Sequence, residues 1–379
     1  MASAIFGCSG GHYVDDVLRI EPFMKRWPRF LACVLMLLIT AGGLQIHAAE
    51  VQHLHHRWTA ARAWHWYHRQ PWMVGCNYIP ATAENTIEMW QGSTYDPKTI
   101  NRELGYAHRL GFNVIRVFLN VLVWQHNPQG YQKRIGNFLA IASGHHIRVA
   151  FVIFDDCWLP TAKLGPQPPP IPGVHNSQWV QCPGPAMAAN HADWPLLKDY
   201  EQSILRAFRN DHRVIFWDLY NECHTLPLLQ ASFRWAREIK LSQPITSCVY
   251  GGPVPITNYV LRHSDIITFH NYSGPHNVQN EITSLRHYHR PVINTEYMRR
   301  PVSTFALCLP VFKRNDVGCF NWGLTNGKTQ TIYPWWSKPG SPPPKLWFHN
   351  ILHRDGRPFS VKEVHLIEHL TGAKPWPAR

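Results

Sequence analysis

The chain has 379 residues, a length that suits one large barrel or two ordinary domains. Apolar residues make up 45% and charged residues 16%, a balance that excludes a disordered chain. The net charge of +13 comes from Lys and Arg scattered without a run or helical stripe, so a solvated basic exterior is expected and no nucleic-acid partner.

Residues 30–44, FLACVLMLLITAGGL, form an apolar stretch too short to span a bilayer comfortably. Lys25, Arg26 and Arg29 precede it, and small residues at Ala48 and Ala49 follow, which is the layout of an export signal. A signal peptide over residues 1–49 is therefore expected, with an uncleaved anchor as the alternative. Residues 1–23 are mixed and include Asp15, Asp16 and Glu21, so translation is expected to begin at Met24. Cleavage would leave a mature domain over 50–379, exported to the periplasm or beyond, monomeric and without stable membrane association. His53, His55 and His56 fall on a solvated segment just past the signal.

From Pro71 onward, apolar runs alternate with helical spacing. The strand candidates are 72–78, 113–119, 147–154, 214–220, 245–250, 266–270, 291–296 and 317–322. They are rich in Val, Ile and Phe and nearly continuous in apolar character, as strands of a doubly covered parallel sheet are. Asp96-Pro97 opens a helix running to Gly111, with a capping residue and a first-turn proline. Further helices are expected near 193–210, 225–242, 277–288 and 302–315, and a last one near 360–371 closes the chain. Eight β-then-α units without a break predict an α/β fold, a single (β/α)₈ TIM barrel.

Two long loops interrupt this rhythm. Residues 155–192 carry seven prolines between Pro166 and Pro185, and a loop of that length after a strand is expected to wall a cleft. Residues 326–345 carry Trp335 and Trp336. Seven cysteines remain beyond the leader, and spacing allows a Cys157–Cys182 bridge across the first loop. The 17 Trp and 14 Tyr suit either an aromatic core or a cleft whose flat rings stack on sugars.

Polar residues collect at the strand ends. Strand four ends Asp218-Leu219-Tyr220-Asn221-Glu222, and strand seven ends Asn294-Thr295-Glu296-Tyr297. In a barrel these ends share one rim, so Glu222 and Glu296 face each other across the mouth. Two such carboxyls can split glycosidic cleavage into two displacements, with Glu296 as nucleophile and Glu222 as general acid and base. That division requires the acid to be held protonated and the nucleophile ionised. Arg116 in strand two would keep the nucleophile charged. Asn221 would bind a sugar hydroxyl, and Trp322 would floor the central sugar site. His270 and Tyr272 close strand six. Asn77 ends strand one, Asp156 ends strand three, and Trp124 and Trp158 are further candidates for substrate contact.

In this combination the chain resembles the clan of retaining β-glycosidases, and most of all glycoside hydrolase family 5. The pattern rests on Arg116, Asn221-Glu222, His270-Asn271-Tyr272, Glu296 and Trp322, within residues 71–325. Thr295-Glu296-Tyr297-Met298 is as similar to the nucleophile segment of family 2, and strand three lacks the His often found at its end. The resemblance implies hydrolysis of a β-linked oligo- or polysaccharide of the mannan, glucan or xylan type. This chemistry requires no metal or organic cofactor. A transglycosylase on the same residues and a non-catalytic carbohydrate-binding barrel are the alternatives. A metal-dependent barrel hydrolase would need His-x-His where strand one ends in Asn77-Tyr78.

Overall fold

The computed structural model describes residues 57–375, so the leader, Met24 and His53, His55 and His56 lie outside the described residues. Nine parallel strands form one sheet: β1 (Val74–Asn77), β2 (Val114–Phe118), β3 (Arg148–Asp155), β4 (Val214–Asn221), β5 (Ile245–Thr246), β6 (Cys248–Val249), β7 (Ile267–His270), β8 (Val292–Tyr297) and β9 (Gly318–Trp322). Their order is β5-β4-β3-β2-β1-β9-β8-β7-β6. The two edge strands are halves of one run, parted at Ser247, so the ring closes through the chain itself. Thr246 pairs with Asp218 in β4 and Cys248 with Thr268 in β7. Between them the Ser247 hydroxyl donates to the Tyr220 carbonyl at 2.5 Å. The eight expected strand runs are all present, and the fifth alone is interrupted. The fold is a TIM barrel.

Side chains alternate across each strand. In β2, Val114, Arg116 and Phe118 lie on the inner side, whereas Ile115 and Val117 pack outward under the helices. The expected helices appear as Pro97–Arg109, Trp194–Phe208, Leu226–Arg237, Pro275–Arg286, Phe305–Arg314 and Val361–Thr371. Asp96 caps the first of these, accepting from the Thr99 amide at 3.0 Å. Six α-helices among the described residues were not foreseen, including Thr86–Trp90, Val121–His126, Pro185–Ala189 and Val254–His263. Of the other two, Pro128–Gly144 links β2 to β3, and Ala60–His68 precedes β1. The latter seals the far end of the barrel, where Trp58, Ala63 and Tyr67 pack on Met73, Val114, Phe216 and Phe320.

The register places the polar strand ends side by side. Asn77 is level with Arg116 on one side and Trp322 on the other, Asp155 with Asn221, and His270 with Glu296. Above this rim the two long loops are joined. The Asn176 amide donates to the Thr329 carbonyl at 2.8 Å, the Gly340 amide to Pro172 at 2.8 Å, and His175 Nδ1 meets the Tyr333 carbonyl at 2.7 Å. Among the described residues no helix is long and apolar enough to cross a membrane.

Candidate active site

A cavity of about 380 Å³ opens at the C-terminal ends of the strands, with Glu222, Glu296, Asn221, Tyr272 and Trp322 in its lining. Arg116 lies beneath it and is fully buried. Its Nη1 donates to Glu296 Oε1 at 2.9 Å and to Asn77 Oδ1 at 2.8 Å. Its Nη2 donates to Asp218 Oδ2 at 2.8 Å and to Asn221 Oδ1 at 2.6 Å. Burial opposes its charge, but Asp218 and Glu296 outweigh burial and hold the guanidinium protonated.

Glu296 is buried in β8, and Tyr272 donates to its second oxygen at 2.8 Å. Glu222 follows β4 at φ +42°, a left-handed conformation that is strained for a side chain. An oxygen of each carboxyl lies within 4.8 Å of the other. His270 joins them: Nδ1 is 2.8 Å from Glu222 Oε1, and Nε2 is 3.6 Å from Glu296 Oε1. Burial opposes a charge on His270 too, yet Cys248, Glu296 and Glu222 raise it well above the ordinary histidine range. Burial lifts the Glu222 carboxyl, but the His270 hydrogen bond and charge outweigh it and leave the group below its ordinary value. Burial pushes the Glu296 carboxyl up, against the charges of His270 and Arg116. The order of the two carboxyls is thus the inverse of the expected one, because His270 favours the ionised form of Glu222 while burial disfavours that of Glu296. The Glu222–His270–Glu296 atoms are near enough together to surround a cation, but Glu222 Oε1 is already committed to His270 and Glu296 Oε1 to Arg116.

The remaining candidates divide. Asn77 supports Arg116 and donates to the Thr295 carbonyl at 2.7 Å, below the cavity rather than in it. Asp156 borders the cavity, but its oxygens are taken by the Tyr220 hydroxyl at 2.8 Å and the His224 amide at 2.7 Å. Trp158 lies on the wall at φ +70°, stacked on His175 with ring centroids 5.4 Å apart. Trp124 is placed elsewhere. It is buried between helices against Tyr200, with its indole N–H on Ser203 Oγ at 3.1 Å. Cys157 and Cys182 are both free thiols, and each is engaged locally: Cys182 Sγ accepts from the Val121 amide at 3.3 Å, and Cys157 reaches Glu222.

Several residues hold places in the site that their sequence positions alone did not assign. Asp218 is the main counter-charge of Arg116, and an acid inside a strand run was its signal. Asp155 accepts from Asn221 Nδ2 and from the Trp179 indole, both at 2.8 Å, and burial raises its carboxyl to about 7. Trp179, His175, Asn176 and Trp335 complete the wall from the two long loops.

A family model for the TIM-barrel domain of family 2 glycosyl hydrolases matches residues 185–308. The barrel fold is the one that this family model describes. No curated protein matches the sequence. Among solved structures, the GH5_18 protein of Streptomyces cattleya in complex with GlcNAc is 13% identical, with a TM-score of 0.54 over 81% of this chain and 82% of that one. A GH5_18 protein of Bifidobacterium longum subsp. infantis is 12% identical, with a TM-score of 0.52 over 81% and 80%. An exo-β-1,4-mannosidase of an Opitutaceae bacterium, strain TAV5, is 17% identical, with a TM-score of 0.54 over 79% of this chain and 60% of that one. The structural likeness is thus to family 5 barrels and the family-model match is to family 2, the two families that the strand-end residues resemble.

Proposed function

We propose that the chain is a retaining glycoside hydrolase acting on a β-linked glycan of the mannan, glucan or xylan type. The observation that carries the reading is the pair of facing carboxyls, with oxygens within 4.8 Å, one clamped by Arg116 and Tyr272 and the other open to the cavity. A separation of roughly 5–5.5 Å suits direct attack on the anomeric carbon, whereas inversion needs a gap of about 6.5 Å or more for a water.

In this reading Glu296 attacks the anomeric carbon while Glu222 protonates the departing oxygen. Transfer of the Nδ1 proton from His270 to Glu222 Oε1 gives a neutral imidazole, a protonated acid and an ionised nucleophile still paired with Arg116. His270 thereby supplies the division of roles between the two carboxyls. Water then enters on the leaving-group side, Glu222 takes its proton, and the glycosyl ester on Glu296 is hydrolysed. Trp322 offers a flat wall to the sugar, and the mannosidase among the structural neighbours makes mannose-containing glycans the first to try. No step calls for a metal ion. Export by the leader and a monomeric state are part of the same proposal.

Mature protein is to be assayed on β-mannan, β-glucan, xylan and aryl β-glycosides, with Glu222→Gln and Glu296→Gln as controls. Cleavage of one substrate class that is lost in both variants, and that survives EDTA, supports the reading. Activity unchanged in either variant, or lost to EDTA and restored by metal, refutes it.

A further inference from the structure

Two sulfur atoms grip the Asn221–Glu222 step. Cys248 Sγ takes the Glu222 amide at 3.2 Å. Cys157 Sγ takes Asn221 Nδ2 at 3.3 Å and lies 3.4 Å from Glu222 Oε2. Cys157 is itself fixed, since its amide donates to Asp155 Oδ1 at 3.2 Å, and it borders the cavity. Because Glu222 leaves the strand in a left-handed conformation, the regular pleat does not set the direction of its side chain. Contacts set it instead: His270 on one oxygen and Cys157 on the other.

From this we infer that Cys157 is a positioning residue for Glu222, its thiol holding Oε2 so that Oε1, which carries the proton, faces the leaving group. The inference rests on the acid role proposed for Glu222. A thiol suits this task for a definite reason. An S–H is a weak donor and a weak acceptor, so it meets the oxygen whether the carboxyl is ionised or protonated. A hydroxyl or an N–H would favour the carboxylate more strongly and hold the proton off. The acid gives up and regains a proton in every cycle, and Cys157 keeps its direction through both states. Cys157 is protonated throughout, because burial pushes its thiol up and the neighbouring carboxyls push it further.

The titratable groups that face Glu222 come from several strands. His270 touches it, Arg116 lies below, Glu296 and Tyr272 lie across the cavity, and Tyr250 and Cys248 flank its backbone. Asp155 acts one hydrogen bond away through Asn221. A change at position 157 leaves these side chains in place and removes the thiol's contacts to Glu222 and to Asn221 Nδ2, which keeps its bond to Asp155, so a shift in the acid's limb reports on the thiol.

The test compares wild type with Cys157→Ala and Cys157→Ser, each first checked for folding by its melting temperature. Profiles of kcat/KM against pH are recorded on an unactivated β-disaccharide and on a dinitrophenyl β-glycoside, whose leaving group needs no proton. Cys157→Ala is expected to lose roughly tenfold on the disaccharide and far less on the dinitrophenyl substrate, a fraction of what a full general acid supplies. Removing a donor raises the acid's pKa and moves the alkaline limb up by roughly half a pH unit, while the stronger serine donor moves it down. Equal losses on both substrates with an unmoved limb would make Cys157 a space-filler and overturn the inference. Wild-type protein inactive on both substrates would overturn the acid assignment beneath it, and the inference with it.

Discussion

The two ends of the barrel each bury arginine against carboxylate, and they do so to opposite effect. At the far end, Asp265 is saturated: Oδ1 accepts from the Trp58 amide and Arg237, and Oδ2 from the Ile245 amide and Arg237, all within 3.0 Å. Arg290 and Arg57 bind carbonyls around it. At the mouth, Asp218, Glu222 and Glu296 share Arg116 and His270, and His270 Nε2 has no hydrogen-bond partner. The difference lies in the count of anions to donors. Where every oxygen is met by a fixed amide or guanidinium, charge locks the fold; where carboxylates outnumber cations, protons must be shared and can move.

The contrast is breakable. Glu296→Ala is expected to lower turnover by about 10⁴-fold or more while the melting temperature holds, since the change removes an anion from a crowded site. The opposite signature belongs to Asp265→Ala. Stranding Arg237 and two amides is expected to cost roughly 3–5 kcal/mol, read by urea denaturation, with the activity per folded molecule retained. A large activity loss there, or a large stability loss at Glu296, would erase the distinction.

The loop strut over the mouth gives a smaller effect with a defined sign. Burial lowers His175 to about 4, against about 6.5 for an exposed histidine. Between those values the unfolded chain takes up a proton that the folded chain refuses. The contribution of His175 is therefore complete above pH 6.5 and declines as the pH falls toward 4, by about 3 kcal/mol in all. Denaturation at several pH values should show a decline that is smaller in His175→Gln by this amount, with the part owed to the neighbouring buried His349 remaining. Smallest is Tyr67→Phe at the sealed end. The hydroxyl donates to the Asp316 carbonyl and accepts from the Gly318 amide, each at 2.9 Å, and its loss is expected to cost about 1–2 kcal/mol without touching catalysis.

The barrel was legible because strands covered on both faces read as unbroken apolar runs, and the short signals at Asp96-Pro97 and the strand ends mark their borders. What hid was tertiary. The break at Ser247 depends on a hydroxyl reaching the Tyr220 carbonyl of another strand. The helix Pro128–Gly144 carries Gly130, Gly136 and Gly144, which weaken its pattern although Asn127-Pro128 announces its start. Glu222, Glu296, Arg116 and His270 could be picked out because position at a strand end aims them at one rim. Asp218 and Cys157 act through contacts between strands, which no spacing encodes. Trp124 shows the converse, since an aromatic ring by itself points to a core as readily as to a cleft.

In the proposed reaction Glu296 forms a covalent bond to the substrate. Incubation with a 2-deoxy-2-fluoro β-glycoside bearing a good leaving group, followed by proteolysis and mass spectrometry, tests it directly. One glycosyl adduct is expected, on the peptide that holds Glu296, and none in Glu296→Gln. An adduct on Glu222, or none at all from protein that still turns over its natural substrate, would contradict it.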